Sequence, residues 1–205
     1  LRTAHPGRQA MRGSLMVLVT LLYFAALKTM PLAQATAVFF TTPVLVTVFA
    51  AAFLGERPGW ATWAAVATGF AGVLVVVRPG TELPVAGVLL VLGAAAGNAA
   101  YQTLTRAQAQ ADSPVVQVLW SGLVGAAIMT ASAPLWWPAS TWPAAGLSAF
   151  DWTVFAVVGP LGAAGHLLLA RAYRLAQASR LAPWAYTQML LSIALGWAVF
   201  GDVPD

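Results

Sequence analysis

The sequence predicts an all-α integral membrane protein, a polytopic helical bundle. Three observations predict it. Of the 205 residues, 60% are hydrophobic and only 8% are charged, against roughly 25% charged in an ordinary soluble domain. The apolar residues fall in runs of about 20, the length that spans a bilayer core as a helix. Those runs are too long for barrel strands, which need period-two alternation over about ten residues. Ten Lys and Arg against six Asp and Glu leave a net charge of +4. No basic cluster is dense enough to track a phosphate backbone, so no nucleic acid is expected as a partner. The absence of cysteine removes disulfides, thiolate metal sites and Cys nucleophiles.

Seven runs are long enough to cross, near 12–30, 32–54, 60–78, 84–106, 114–135, 151–172 and 181–201. The breaks between them carry turn chemistry: Met30-Pro31, Gly55-Glu56-Arg57-Pro58-Gly59, Arg78-Pro79-Gly80 and Asp112-Ser113-Pro114. The stretch 136–146 holds Trp136, Trp137 and Trp142 among prolines and reads as an interfacial loop, because indole prefers the headgroup level. The chain opens on polar residues with Leu1 and stops at Asp205 directly after a run, and it is read as a fragment of a longer frame.

Polar groups are expensive in a bilayer and tend to face a bundle interior or a cavity. In the first run Thr20, Tyr23, Phe24 and Leu27 share a face, which reads as core. In the second, Thr36, Phe40, Pro43 and Thr47 form a stripe. Pro43 in mid-helix frees a backbone carbonyl that a nearby Thr hydroxyl can take, so a kink is expected there, with gating as its candidate role. In the fourth, Asn98, Tyr101, Gln102 and Thr105 fall at i, i+3, i+4 and i+7. They are either the wall of a pathway or interhelical glue beside the small residues Gly93 and Gly97. In the sixth, His166 follows Gly159, Pro160, Gly162 and Gly165. It is the ionisable side chain placed inside the hydrocarbon, either a solute or proton-coupling contact or a histidine bonded to a backbone carbonyl. Pro160 is a second candidate kink. In the seventh, Gln188 and Ser192 share a face with Trp184, while Tyr186 points roughly 160° away. Gln188 is preferred to Tyr186 as a pathway residue.

Arginine counting orients the bundle. One side holds Arg2, Arg8, Arg12, Arg57, Arg106, Arg171, Arg174 and Arg180, and the other holds Lys28 and Arg78. The arginine-rich side is expected to be cytoplasmic. Glu56, Glu82, Asp112, Asp151, Asp202 and Asp205 all fall in loops or at helix ends, and no Lys or Arg is placed at the midplane. A neutral, aromatic and amide-lined cavity is expected, suited to an amphipathic or planar organic solute. The sequence lacks a P-loop and an HExxH, and its only histidines are His5 and His166. No enzyme activity, cofactor or metal is expected.

An internal repeat adds topology. Leu32-Ala33-Gln34-Ala35-Thr36 recurs as Leu175-Ala176-Gln177-Ala178-Ser179. Each copy follows a basic residue, Lys28 or Arg171, and leads into a run ending in Gly and an acid, Gly55-Glu56 or Gly201-Asp202. The copies sit in the second and seventh runs, so they cross in opposite directions, an inverted repeat of the kind secondary transporters use.

The run from Ala26 to Ala35, the stretch from Phe40 to Pro43, Leu54-Gly55-Glu56-Arg57, and Gly69-Phe70-Ala71-Gly72-Val73 through Arg78-Pro79-Gly80 resemble the EamA-type drug/metabolite transporters. Gly165-His166 with Leu167 to Ala170, and Phe200-Gly201-Asp202-Val203-Pro204, extend the likeness across the second half. The resemblance implies a ten-helix inverted-repeat transporter, of which the seven transmembrane helices here are the third to ninth. It implies two units: 1–80, the C-terminal part of the first EamA repeat, and 81–205, the second repeat lacking its last helix. It also implies a multi-pass protein of the inner (cytoplasmic) membrane that moves a small-molecule organic solute, drug or metabolite, with pairing into a homodimer left open. On this reading Asn98, Tyr101, Gln102, His166, Gln188 and Tyr186 are the candidate substrate-binding residues, and Pro43 and Pro160 the gating or kink residues. The competing reading is a non-transport membrane scaffold or assembly partner. The test between them is whether Asn98, His166 and Gln188 converge on one cavity.

Overall fold

The computed structural model describes residues 2–77, 83–136 and 148–200. The helices are α1 (Pro6–Ala26), α2 (Leu32–Phe39), α3 (Thr42–Leu54), α4 (Trp60–Val77), α5 (Val85–Ala107), α6 (Pro114–Trp136), α7 (Ala149–Leu175), α8 (Ala178–Leu181) and α9 (Thr187–Phe200), with a 3₁₀ segment, Ala182–Tyr186, between the last two. Among the described residues every run read from the sequence is mainly helical, and no strand occurs. Five stretches are long and apolar enough to cross a membrane: Pro6–Ala26, Leu32–Leu54, Val85–Ala107, Pro114–Leu135 and Ala149–Leu175. Most of the tryptophan-rich loop, Arg78-Pro79-Gly80 and Gly201-Asp202 lie outside the described residues.

Two runs are broken, and the breaks have local causes. α2 stops at Phe39 and α3 restarts at Thr42, with Pro43 in its first turn. Proline has no N–H to offer the carbonyl four residues back, and the Thr42 hydroxyl donates to that Phe39 carbonyl at 2.7 Å. The Thr41 hydroxyl does the same for Val38 at 2.8 Å. The expected kink is therefore a full interruption, two residues before the proline. The seventh run breaks likewise, with Pro183 in the first turn of the 3₁₀ segment. α7, by contrast, runs through Pro160 as one helix of 27 residues.

α1 starts at Pro6, ahead of the apolar run at 12, because proline suits a first helical turn. The polar residues it takes in, Gln9 and Arg12, are fully buried. This corrects the placement of Arg12 in an aqueous tail.

The remaining arginine-bearing segments gather at one end. The Thr3 hydroxyl donates to Asp112 at 2.8 Å, the Glu56 carboxylate lies 3.5 Å from Arg106, and Gln110 donates to the Arg174 carbonyl at 3.1 Å. At the other end Gly87 packs on Thr29 and Met30. The core between is built from small residues that let helices approach closely. Ala50 of α3, Ala99 of α5 and Ala178 of α8 are fully buried in one cluster with Val46 and Tyr173. A Cβ on Gly97 would stand 2.9 Å from Val19, so the glycines of α5 do serve a close contact with α1.

α4 lies against the 3₁₀ segment, where a Cβ on Gly69 would collide with the Tyr186 ring, whereas one on Gly72 would meet nothing within 4 Å. Gly69→Ala is expected to cost about 1–3 kcal/mol through overpacking. The readout is a lowered midpoint of thermal unfolding in detergent, with Gly72→Ala as the matched control. Equal midpoints would mean that α4 does not pack on Tyr186.

Candidate functional site

Both helix breaks face one cavity of about 670 Å³. Phe39, Phe40 and Pro43 line it from the first break, and Leu181, Trp184 and Gln188 from the second. Tyr23 and Phe24 of α1, Asn98 and Gln102 of α5, and Tyr173 of α7 complete its walls. The Tyr23 hydroxyl lies 3.0 Å from the Thr36 hydroxyl, and its ring meets Phe39 edge-on at 5.2 Å. Among its large apolar lining residues Phe24 (63%) and Trp184 (70%) are the most exposed, which marks the open side. No charged side chain is among the lining residues, and three carboxamides, Asn98, Gln102 and Gln188, are.

The polar stripe of α5 divides between two neighbours. Asn98 and Gln102 turn to the cavity. Tyr101 and Thr105 turn to Arg12, whose Nε donates to the Thr105 hydroxyl at 3.1 Å and whose Nη2 donates to the Tyr101 hydroxyl at 3.4 Å. Arg12 Nη1 also donates to Gln9 Oε1 at 2.6 Å and to the Gln117 carbonyl at 3.2 Å. Its guanidinium sits 5.0 Å from the Tyr101 ring centroid, a cation–π contact. Gln9 donates onward to Asp112 at 2.7 Å, the carboxylate nearest this buried charge in the network.

His166 stands behind the wall with Tyr101, its Nδ1 3.3 Å from the Tyr101 hydroxyl. Arg12 can only donate to that hydroxyl, whose oxygen is thus shared between the guanidinium and the imidazole. His166 is therefore not the lone buried ionisable group; Arg12 shares the interior with it. Tyr186 is also behind the wall. It stacks on Phe40 at 6.0 Å between ring centroids and donates to the Phe40 carbonyl at 3.2 Å, which braces the first break from the second. Pro43 lines the cavity at the first break, and Pro160 lies exposed on α7. Of the triad named as a test, Asn98 and Gln188 share the cavity and His166 does not.

Sequence reasoning missed two groups, Arg12 and Glu56. Gly55 adopts a left-handed conformation with φ of 67°, the turn glycine permits at a helix end. The Glu56 N–H closes that turn on the Ala50 carbonyl at 3.1 Å, and the side chain points back into the bundle. Its carboxylate accepts from the Ala178 and Ser179 N–H groups, each at 2.9 Å, and from the Ser179 hydroxyl at 2.6 Å. An acid from the end of the first sequence copy thus caps the helix that starts the second. Burial pushes this carboxyl up, but the Ser179 and Ala178 hydrogen bonds and the Arg106 charge together hold it below its ordinary value.

The stabilisation from Glu56 is consequently full above pH about 4.5 and fades as pH falls through the lower folded value. Thermal midpoints measured from neutral pH downward should fall more steeply for the parent than for Glu56→Gln. Parallel curves would show that the cap does not couple to stability.

Two interrupted helices that meet across an aromatic and amide-bearing cavity within an apolar bundle are an arrangement that membrane transporters use. Residues 8–78 match the EamA-like transporter family. The chain is similar to a riboflavin transporter of Vibrio cholerae, 29% identical over 206 residues that include all of this chain and 67% of the relative. It is similar to an S-adenosylmethionine uptake transporter of Rickettsia felis, 25% identical over 100% of this chain and 67% of the relative. It spans about two thirds of the length of each. A solved crystal structure shares its fold with a TM-score of 0.82 at 26% identity, over 100% of this chain and 72% of that one. Over residues 8–78 the chain carries the EamA-like transporter pattern, and along its whole length it is similar to transporters of the drug/metabolite superfamily.

Proposed function

We propose that the protein is a secondary transporter of the cytoplasmic membrane that moves a small, flat, uncharged-faced organic solute by alternating access. The two repeats, 1–80 and 81–205, rock about the cavity between them. The single observation that carries this reading is the cavity itself: aromatic rings and three carboxamides at its walls, and no charged lining residue. Its volume of about 670 Å³ falls within the roughly 300–1,000 Å³ of pockets that bury drug-sized ligands. A scaffold would satisfy its buried polar groups pairwise and keep no such space.

The rings of Tyr23, Phe39 and Trp184 suit stacking on a planar heteroaromatic face. Asn98, Gln102 and Gln188 each offer one donor group and one acceptor, which suits an amide-like edge. Riboflavin and S-adenosylmethionine, named for the relatives, both carry a fused heteroaromatic ring system. Tyr101 and His166 back the Asn98–Gln102 wall, and Tyr186 backs Phe40.

The test is a comparison of metabolites inside cells and in the medium, with the protein and its Asn98→Leu variant expressed at equal levels. A small group of planar, uncharged or weakly charged solutes shifted by the parent and not by the variant is expected. Inorganic ions alone shifting, or no shift from a protein folded in the membrane, would overturn the reading.

A further inference from the structure

One wall residue of the cavity is tied directly to the contact that joins the two repeats. The Gln102 carboxamide lines the cavity, and its Oε1 accepts from the Tyr173 hydroxyl at 2.5 Å. The Tyr173 carbonyl accepts from Arg106 Nη1 at 2.6 Å. Arg106 Nε faces Glu56 at 3.5 Å, and Glu56 holds the start of α8 through Ala178 and Ser179. Tyr173 is 1% exposed and belongs to the small-residue core. This line of groups fills the space between the cavity and the arginine-rich end, where a second, polar recess bordered by Glu56, Arg106, Gln110 and Gln177 lies on the far side. The cavity is therefore shut toward that end by hydrogen bonds and not by apolar packing alone.

We propose that Tyr173 is the positioning residue that couples occupancy of the cavity to a Glu56 latch. The inference rests on the transport reading of the cavity. A planar solute that pairs with both ends of the Gln102 carboxamide must draw its oxygen toward the cavity plane, and that oxygen is the one the Tyr173 hydroxyl holds. Tyr173 then loses its side-chain tie to α5 and hangs on that helix by its carbonyl and Arg106 alone. The shift passes to Arg106, weakens the charge facing Glu56, and frees the α3–α4 loop from α8. Because that loop and α8 belong to opposite repeats, their separation opens the cavity to the arginine-rich end. The latch side chains are hydrogen-bonded or paired along this line, so each has a defined closed state to leave.

The absence of cysteine allows the test in the whole protein. Ala185→Cys places one thiol in the cavity wall. A membrane-impermeant maleimide is applied to either face of oriented membrane vesicles. The Ala185→Cys protein is expected to label slowly from the arginine-rich face. Tyr173→Phe, which keeps the ring and removes the hydroxyl, should label roughly five- to tenfold faster from that face, the population shift expected for one buried hydrogen bond. Gln102→Leu, which removes the acceptor, should do the same, and Ser179→Ala, which loosens Glu56, should do so independently of the cavity. Combining Gln102→Leu with Tyr173→Phe should add nothing, because both break one bond. Unchanged labelling in Tyr173→Phe, or additive effects of the Gln102 and Tyr173 substitutions, would overturn the proposal. Labelling reads access without transport, so its failure is distinct from failure of the metabolite comparison.

Discussion

Arg12→Met is expected to lower stability by about 2–4 kcal/mol and to reduce the yield of folded protein sharply. The substitution strands the buried Gln9 oxygen on α1 and takes a donor from the buried Thr105 hydroxyl on α5 and from the Gln117 carbonyl of α6. Each unsatisfied buried group costs about 1–3 kcal/mol. Removing the charge recovers part of this through lost desolvation, which keeps the net below the sum. The Tyr101 hydroxyl also loses its donor, so the Tyr101–His166 contact is freed to rearrange. A loss of this size is a large fraction of a stability of roughly 5–15 kcal/mol. Arg12→Lys should recover only part of it, since an ammonium lacks the planar fork that reaches Thr105, Gln9 and Tyr101 together. Monodisperse yield and thermal midpoint in detergent decide the matter. Arg12→Met protein with the parent's midpoint would show that the network contributes no net stability.

The second large effect falls on transport. Gln102→Leu keeps the side-chain volume and removes both amide groups from the cavity wall. A site built to pair with a solute loses about 1–3 kcal/mol when one partner disappears. At 1.4 kcal/mol per tenfold, transport should slow by roughly 10- to 100-fold. The loss should appear with the folded protein intact, since Gln102 borders the cavity and its loss leaves Tyr173 packed in its core. Leu161→Ala, on a part of α7 that is 65% exposed, serves as the control and should transport at the parent's rate. Equal rates for Gln102→Leu and the control would remove Gln102 from the pathway.

The fold was readable because it rests on length. An apolar run of about 20 residues has few alternatives to a spanning helix, and the run boundaries at Pro31, Gly55 and Pro114 coincide with ends of α2, α3 and α6. The five-residue match and its flanks pointed to two related segments, and those two segments hold the two broken helices. The site was readable only in part. Helical spacing put Asn98, Tyr101, Gln102 and Thr105 on one face, but the face is wide enough to touch two neighbours. Whether a residue meets the cavity or Arg12 depends on where α1 and α8 pack, which spacing does not carry. Arg12 was misplaced because a polar residue ahead of an apolar run looks solvated; its partners, Thr105 and Gln117, are 93 and 105 residues away. Glu56 looked like a loop acid for the same reason, its cap at Ala178 being 122 residues distant. A sequence signal did exist for Glu56: the glycine before it, whose left-handed turn aims the carboxylate inward.

The central claim is alternating access through the cavity walled by Asn98, Gln102 and Gln188. Counterflow tests it most directly. The protein would be reconstituted in lipid vesicles with the solute that the metabolite comparison singles out, and uptake of labelled solute measured with and without unlabelled solute inside. An alternating-access carrier returns faster when loaded, so preloading should accelerate uptake and produce a transient overshoot, and both should be lost in Gln102→Leu. Flux that rises linearly with concentration, indifferent to preloading and to the substitution, would contradict the account.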